Sequence, residues 1–385
     1  MSPLSGVQNV MELDEKYHTR IVQFVSKINT GKLEGSCSIA LATLTFLEQI
    51  VNDTILPSTD DLKEEREQED LVRKQVSSAV GVIREVGKRL RQALPGEHVV
   101  SNIVCRVLRI LRDVARNKSE GSADGGDSLQ RLVRGGTTPG DACDPNDHGG
   151  LRSLTLGYID ELRNELESSA SAIEELSGEQ IHAQELILTV GASRLVERFL
   201  KKAFTMRPFN LVVVGCGRPA RTHAMAGRLS TAGIPVTVVG ASHAAAVMAR
   251  ANKCVLGVRA VLAGGALLTI AGSHAVALAA EHHSVPLVAL APLYKLAPTY
   301  ANGARAAHSL GPPHIALPYE CDPGGEAYAY APLYDHVPPD LVTLFVTNQF
   351  RFMGRGHSVC SSGAFSPSYI YRQLSELYDP SDYQL

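Results

Sequence analysis

The sequence predicts an α/β protein, with a helical N-terminal domain followed by a doubly wound, Rossmann-like parallel-sheet domain. Three observations carry that reading. Apolar residues over 14–116 recur at helical spacing. From residue 185 onward, short β-branched runs bounded by turn residues alternate with helix-length stretches. Most of those runs are apolar on both sides of the pleat, the pattern of strands covered by helices on both faces.

The elements follow in order. Ile21, Phe24, Val25 and Ile28 mark a first helix, and Ser36 is placed to cap a second through Ile39, Leu47 and Ile50. The charged link DLKEEREQED leads to a third through Val72, Val76, Val80 and Ile83. PGEHVV opens a fourth, whose face is Val100, Ile103, Val104, Val107, Leu111 and Val114. These make a helical domain of residues 1–116. Residues 117–150 are rich in Gly, Asp, Ser and Thr and nearly devoid of apolar content, so they are predicted to be a disordered, expendable insertion. A connecting helix is expected within 151–184, through Ile159, Leu162, Leu166 and Ile173. The α/β domain then occupies 185–385, with strands expected at 186–190, 211–215, 235–239, 254–258, 286–290 and 342–346.

Composition narrows the function classes. The 385 residues carry a net charge of −3, and 44% are hydrophobic, an ordinary fraction for a folded chain of about two domains. No apolar run approaches the ~20 residues that cross a bilayer, and MSPLSGVQNVMELDEKYH has neither a secretory core nor an Arg-rich transit helix, so a cytosolic protein without membrane contact is expected. The seven Cys are scattered and never form CxxC, which reads as reduced thiols. Charge is uneven: no Asp or Glu falls between Glu197 and Glu281, while ten Lys or Arg do. Such a stretch can attract phosphate or nucleic acid. Its bases are dispersed and lack interleaved aromatics, however, and this favours charges that flank buried βα units over direct nucleic-acid binding.

Short motifs carry little chemistry. Gly215-Cys216-Gly217-Arg218-Pro219-Ala220 follows a strand as a dinucleotide fingerprint does. The acid expected about 20 residues later, at the end of the next strand, is missing: that strand ends in Gly240-Ala241-Ser242. There is no G-x-S-x-G and no paired carboxylate in this half. His282-His283 and the pair His357 and Cys360 lack the further ligands a metal needs. Catalytic, cofactor and metal sites are therefore expected to be absent, and no cofactor is expected.

Longer segments are more specific. HAMAGRLSTAGIPVTVV, ARANKCVLGVRAVLAGGALLTIAGSHAVALAAEHHSVPLVALAPLYKLAP, YDHVPPDLVTLFVTN and SPSYIYRQLSELYDPSDYQL closely resemble the alpha/beta/delta regulatory-subunit family of eukaryotic translation initiation factor 2B. The ending looks like that family's beta branch, and GKLEGSCSIALATLTFLEQIV and VVSNIVCRVLRILRDVA agree in part with its helical domain. The family shares its fold with sugar-phosphate isomerases such as methylthioribose-1-phosphate isomerase, which use a Cys after the first strand and an Asp after a later one. Here those positions align with Gly191 and Arg259, neither of which is a general base at neutral pH, and the isomerase's NG turn has Gly264. The resemblance thus implies a non-catalytic regulatory subunit, with the isomerase as the alternative. It implies delta, alpha, gamma and epsilon partners in an exchange factor acting on initiation factor 2, and sensing of that factor's phosphorylated alpha subunit. It also implies that His223 lines a pocket between assembled subunits, where Gln184 replaces an expected Asn.

Overall fold

The computed structural model describes residues 4–55, 65–119, 151–216, 219–300, 310–320, 328–348 and 364–383. Residues 120–150 of the predicted insertion, the Gly217-Arg218 part of the fingerprint, and His357 with Cys360 lie outside them, whereas residues 117–119, expected to be disordered, end a helix. The chain forms two compact units: 1–167 with 351–359 and 377–385, and 168–350 with 360–376. The division falls inside the helix expected to connect the domains, and it returns the segment after residue 376 to the helical unit.

The helical unit contains α1 (Leu4–Asn29), α2 (Ser36–Thr54), α3 (Glu65–Ala93), α4 (His98–Ser119) and most of α5 (Leu151–Glu175). Its core is the apolar stripe read from the sequence: Ile21, Phe24, Ile39, Leu47, Ile50, Val76, Ile83 and the whole face from Val100 to Val114 are buried. Phe24 stacks on Phe46 with ring centroids 5.2 Å apart. Ser36 does not cap α2. The cap is Gly35, at φ 97°, a left-handed conformation that costs a residue without Cβ nothing.

The second unit is built on a seven-stranded sheet in the order β10-β9-β7-β4-β1-β2-β3. The strands are β1 (Leu186–Val190), β2 (Asn210–Gly215), β3 (Val236–Gly240), β4 (Lys253–Gly257), β7 (Leu287–Leu290), β9 (Leu344–Val346) and β10 (Ala364–Phe365). All neighbours pair parallel except β10, which runs antiparallel to β9. The remaining helices are α6 (Ser177–Gln180), α7 (Arg194–Met206), α8 (Pro219–Thr231), α9 (Ala244–Met248), α10 (Ser273–His282) and α11 (Ile370–Leu377). The chain starts in the middle of the sheet, moves outward through β2 and β3, then returns beside β1 with β4. The switch point of the doubly wound order lies between β1 and β4, where folds of this kind place their ligands.

Two features depart from the sequence expectation. A second sheet, β5-β6-β8, forms from Ala260–Val261, Leu267–Ile270 and Tyr334–Val337. The turn between its first two strands uses Gly265 at φ 82°, while Gly264 faces open space. The other departure is β3, expected to be buried on both faces. It is instead half-buried or exposed along its whole length, with Val238 42% exposed, because it is the sheet's edge and the segment Ala241–His243 after it is exposed too.

Candidate functional site at the carboxyl ends of the sheet

The two positions that the resemblance aligns with isomerase catalytic groups follow adjacent strands. Thr189 of β1 pairs with Val255 of β4, so Gly191 and Arg259 leave adjacent strands at the switch point. Gly191 sits at φ 63°, its N–H donates to the Val214 carbonyl at 2.9 Å, and an added Cβ would lie 2.8 Å from Ile270 Cδ1. Gly257, at the end of β4, is equally confined: a Cβ there would meet Ser193 Oγ at 2.5 Å. Ser193 caps α7, accepting from the Val196 N–H. Small residues at the strand ends thus let the next loop and helix press against the sheet, and a side chain at Gly191 would require Ile270 to move.

Arg259 points into the protein's own interior. Its guanidinium lies over the Tyr334 ring, 4.6 Å from the centroid, and burial lowers its pKa while Tyr334 opposes that shift. Lys295, 7% exposed, donates to the Val258 carbonyl at 2.8 Å. The amino end of α10, the natural anion site of this crevice, is already occupied by a carboxylate of the chain: Asp335 Oδ2 accepts from Gly272 N–H at 2.6 Å and His274 N–H at 3.3 Å. Cys216 lies under the same turn, where a Cβ on Gly272 would be 2.7 Å from its Sγ. Burial pushes the Cys216 thiol up, and the Asp335 charge pushes it further. Cys254, inside β4, is pushed up to about 12 by burial alone. Both thiols are held protonated, poor nucleophiles at neutral pH.

The polar groups of the crevice therefore cap helices, stack on rings and bind main-chain carbonyls. Asp335, Tyr334 and Lys295 were not singled out from sequence. They lie far from residue 191 along the chain, and only the pairing of β6 with β8 brings two of them to the crevice. At Gly215 a Cβ would lie 3.5 Å from the Val239 carbonyl, an ordinary contact, so the fingerprint's first glycine is not required by close approach. His282 and His283 meet edge to face at the end of α10, ring centroids 4.9 Å apart, and among the described residues no group of three metal-ligating side chains forms.

Four of the ten bases in the basic stretch pair with acids that precede or open it. Arg198 pairs with Glu174, Lys201 and Arg228 with Glu197 (2.8 and 2.7 Å), and Lys253 with Glu185 (3.0 Å). Glu197 is held below the usual carboxylate range, first by hydrogen bonds from Arg228 and then from Lys201. Arg207 reaches the Ile181 carbonyl and His182. His223 and Gln184 are both exposed, and one chain does not bring them together. Gln184, at φ 68°, precedes the amino end of β1, whereas α8, which holds His223, begins beyond the carboxyl end of β2.

The family model for the "Initiation factor 2 subunit family" matches residues 32–350, most of the chain. The chain belongs to this family. Similarity continues beyond that span. The chain is 29% identical to "Translation initiation factor eIF2B subunit beta" of Schizosaccharomyces pombe, over 96% of this chain and 98% of the relative. To the protein of that name in Dictyostelium discoideum it is 33% identical, over 79% and 85%. In fold it is similar to crystal structures from Chaetomium thermophilum. For eIF2B beta the TM-score is 0.64 with 22% identity, covering 96% of this chain and 93% of that one. For a chain of the tetrameric eIF2B-beta2-delta2 complex it is 0.65 with 22% identity, covering 98% and 100%. The family places the chain in translation initiation, and the helical half and the parallel sheet are shared with these structures.

Proposed function

We propose that this IF-2B family member is a non-catalytic, beta-type regulatory subunit of the guanine-nucleotide exchange factor for initiation factor 2. The carrying observation is likeness to beta subunits over nearly the whole chain and nearly the whole relative. Its partners in this reading are the delta, alpha, gamma and epsilon subunits in the cytosol. The helical unit meets initiation factor 2 and senses the phosphorylated form of its alpha subunit. The crevice supports the absence of catalysis: Gly191 and Arg259 provide no general base, and Asp335 is committed to a helix end.

The edge strand supports assembly. β3 offers unpaired main-chain groups and an exposed Val238 on a well-formed sheet, a surface that a free-standing protein covers or blunts. We assign this edge to the pairing with delta, and His223 with Gln184 to a pocket completed by a second subunit. The test is affinity purification of the tagged chain from its own cells, with mass spectrometry of what it retains and an exchange assay on the eluate. Recovery of the other four subunits, with exchange inhibited by phosphorylated factor 2, is the expected result. Recovery of the chain alone, with turnover of methylthioribose-1-phosphate, would replace this reading with the isomerase.

A further inference from the structure

The helical unit includes a segment from the far end of the chain, and the way it is held is that of a ligand. Asp379 accepts from the Ser381 N–H (2.9 Å) and hydroxyl (2.8 Å), which folds Pro380–Asp382 into a single 3-10 turn. That turn projects Tyr378 and Asp382 inward and leaves Pro380 and Ser381 in solvent. The Asp382 side chain is 0% exposed. It receives a two-pronged hydrogen bond from Arg112 of α4 (2.6 and 2.7 Å) and a third from Arg84 of α3 (2.9 Å). Its carbonyl accepts from Cys105 Sγ at 3.6 Å. Arg112 also meets Asp379 at 3.1 Å, so two arginines face two carboxylates. Tyr378 is buried beside Arg106, whose guanidinium is itself fixed two-pronged on Glu165 of α5 at 2.9 and 2.7 Å.

An arginine fork on a desolvated carboxylate is a recognition device more than a stabilising one. Around it, the segment has a preformed turn, one aromatic anchor and one charged anchor, as a bound peptide has. We propose that α3, α4 and α5 form a peptide-binding site for an acidic, tyrosine-led turn, and that Tyr378–Tyr383 is its occupant in cis. Asp382 is the residue that confers specificity. The site does not depend on the subunit assignment above.

The test uses a chain ending at Leu377 and a synthetic, fluorescently labelled peptide spanning Tyr378–Leu385. Saturable one-to-one binding is expected, with a rise in the melting temperature of the shortened chain. The Asp382→Asn peptide should bind at least tenfold more weakly, since hydrogen bonds between charged groups are involved. Equal binding of both peptides, or none by a shortened chain that is folded, overturns the proposal. If the shortened chain does not fold, the full chain carrying Asp382→Asn is followed by hydrogen exchange. Faster exchange in 378–383 and in α3 and α4 around Arg84 and Arg112, with β1, β2 and β4 unchanged, supports the site. Exchange as in the parent chain overturns it.

Discussion

A cysteine introduced at Gly191, the position the resemblance aligns with an isomerase thiol, would damage the fold without creating catalysis. The backbone there is left-handed, at φ 63°, which costs a residue with a Cβ ~1–2 kcal/mol. The new Cβ would also lie 2.8 Å from Ile270 Cδ1 and 3.1 Å from Cγ2, and overpacking of this kind costs ~1–3 kcal/mol. Ile270 is only half-buried, so its tip yields and the steric part falls at the low end of that range. The sum is about 2–4 kcal/mol, or roughly 5–15 °C in melting temperature for a unit of this size. The assay is thermal unfolding of Gly191→Ala and Gly191→Cys, each alone and with Ile270→Ala, all co-expressed with the proposed delta partner. Alanine should cost nearly as much as cysteine, because Cβ is the offending atom. Ile270→Ala should recover about 1 kcal/mol of coupling and leave the backbone cost in place. If Gly191→Cys melts within a degree of the parent chain, the loop after β1 has room for a thiol and the steric argument fails.

Three further outcomes are expected. With iodoacetamide at pH 8, peptide mapping of the native chain should find Cys105 and Cys254 unmodified, since burial pushes both thiols up to about 12; rapid labelling of either would mean that its strand or helix opens readily. The native pKa of Glu197 lies below its ordinary 4.5, so its ion pairs add stability above that pH and lose it as pH falls through the native value. Glu197→Gln should therefore flatten the acid limb of the stability profile, whereas an acid limb identical to the parent's would place the salt bridges outside the folding equilibrium. Val238→Asp on β3 should leave the melting temperature of the monomer unchanged, reduce its aggregation and abolish co-purification of delta; retention of delta at parental yield would move the interface elsewhere.

The parts of the fold legible in sequence were those set by local pattern. The run LILTV became β1 at its predicted limits, and the face from Val100 to Val114 is buried as its spacing required. The run PVTVV looked equally buried, because composition reports affinity for a sheet and says nothing about position within it. Strand order, which leaves β3 at the edge, is a property of the whole topology. The two- to four-residue strands of the second sheet are too short to show a period, and Tyr334 and Asp335 went unnoticed with them. Half of the crevice could be read in advance, since Gly191 and Arg259 follow strands that were predicted. The half that closes it, Asp335 on the Gly272 amide, joins residues 63 positions apart and leaves no local signal. The acids that pair with part of the basic stretch were nearer to hand: Glu185 and Glu197 sit just before it, and α5 carries Glu174.

The docking of Asp382 between Arg84 and Arg112 sets an order of events during synthesis. More than two hundred residues separate Glu175, where α5 ends, from Asp382. At about 5–20 residues per second, the ribosome needs tens of seconds to make them. Throughout that interval the two arginines have no carboxylate from the far segment, and the pocket for Tyr378 stands open on a nascent domain whose other helices are complete. The first domain to emerge is thus among the last to be finished, and its Tyr378 pocket stays open to solvent for longer than its early place in the chain suggests.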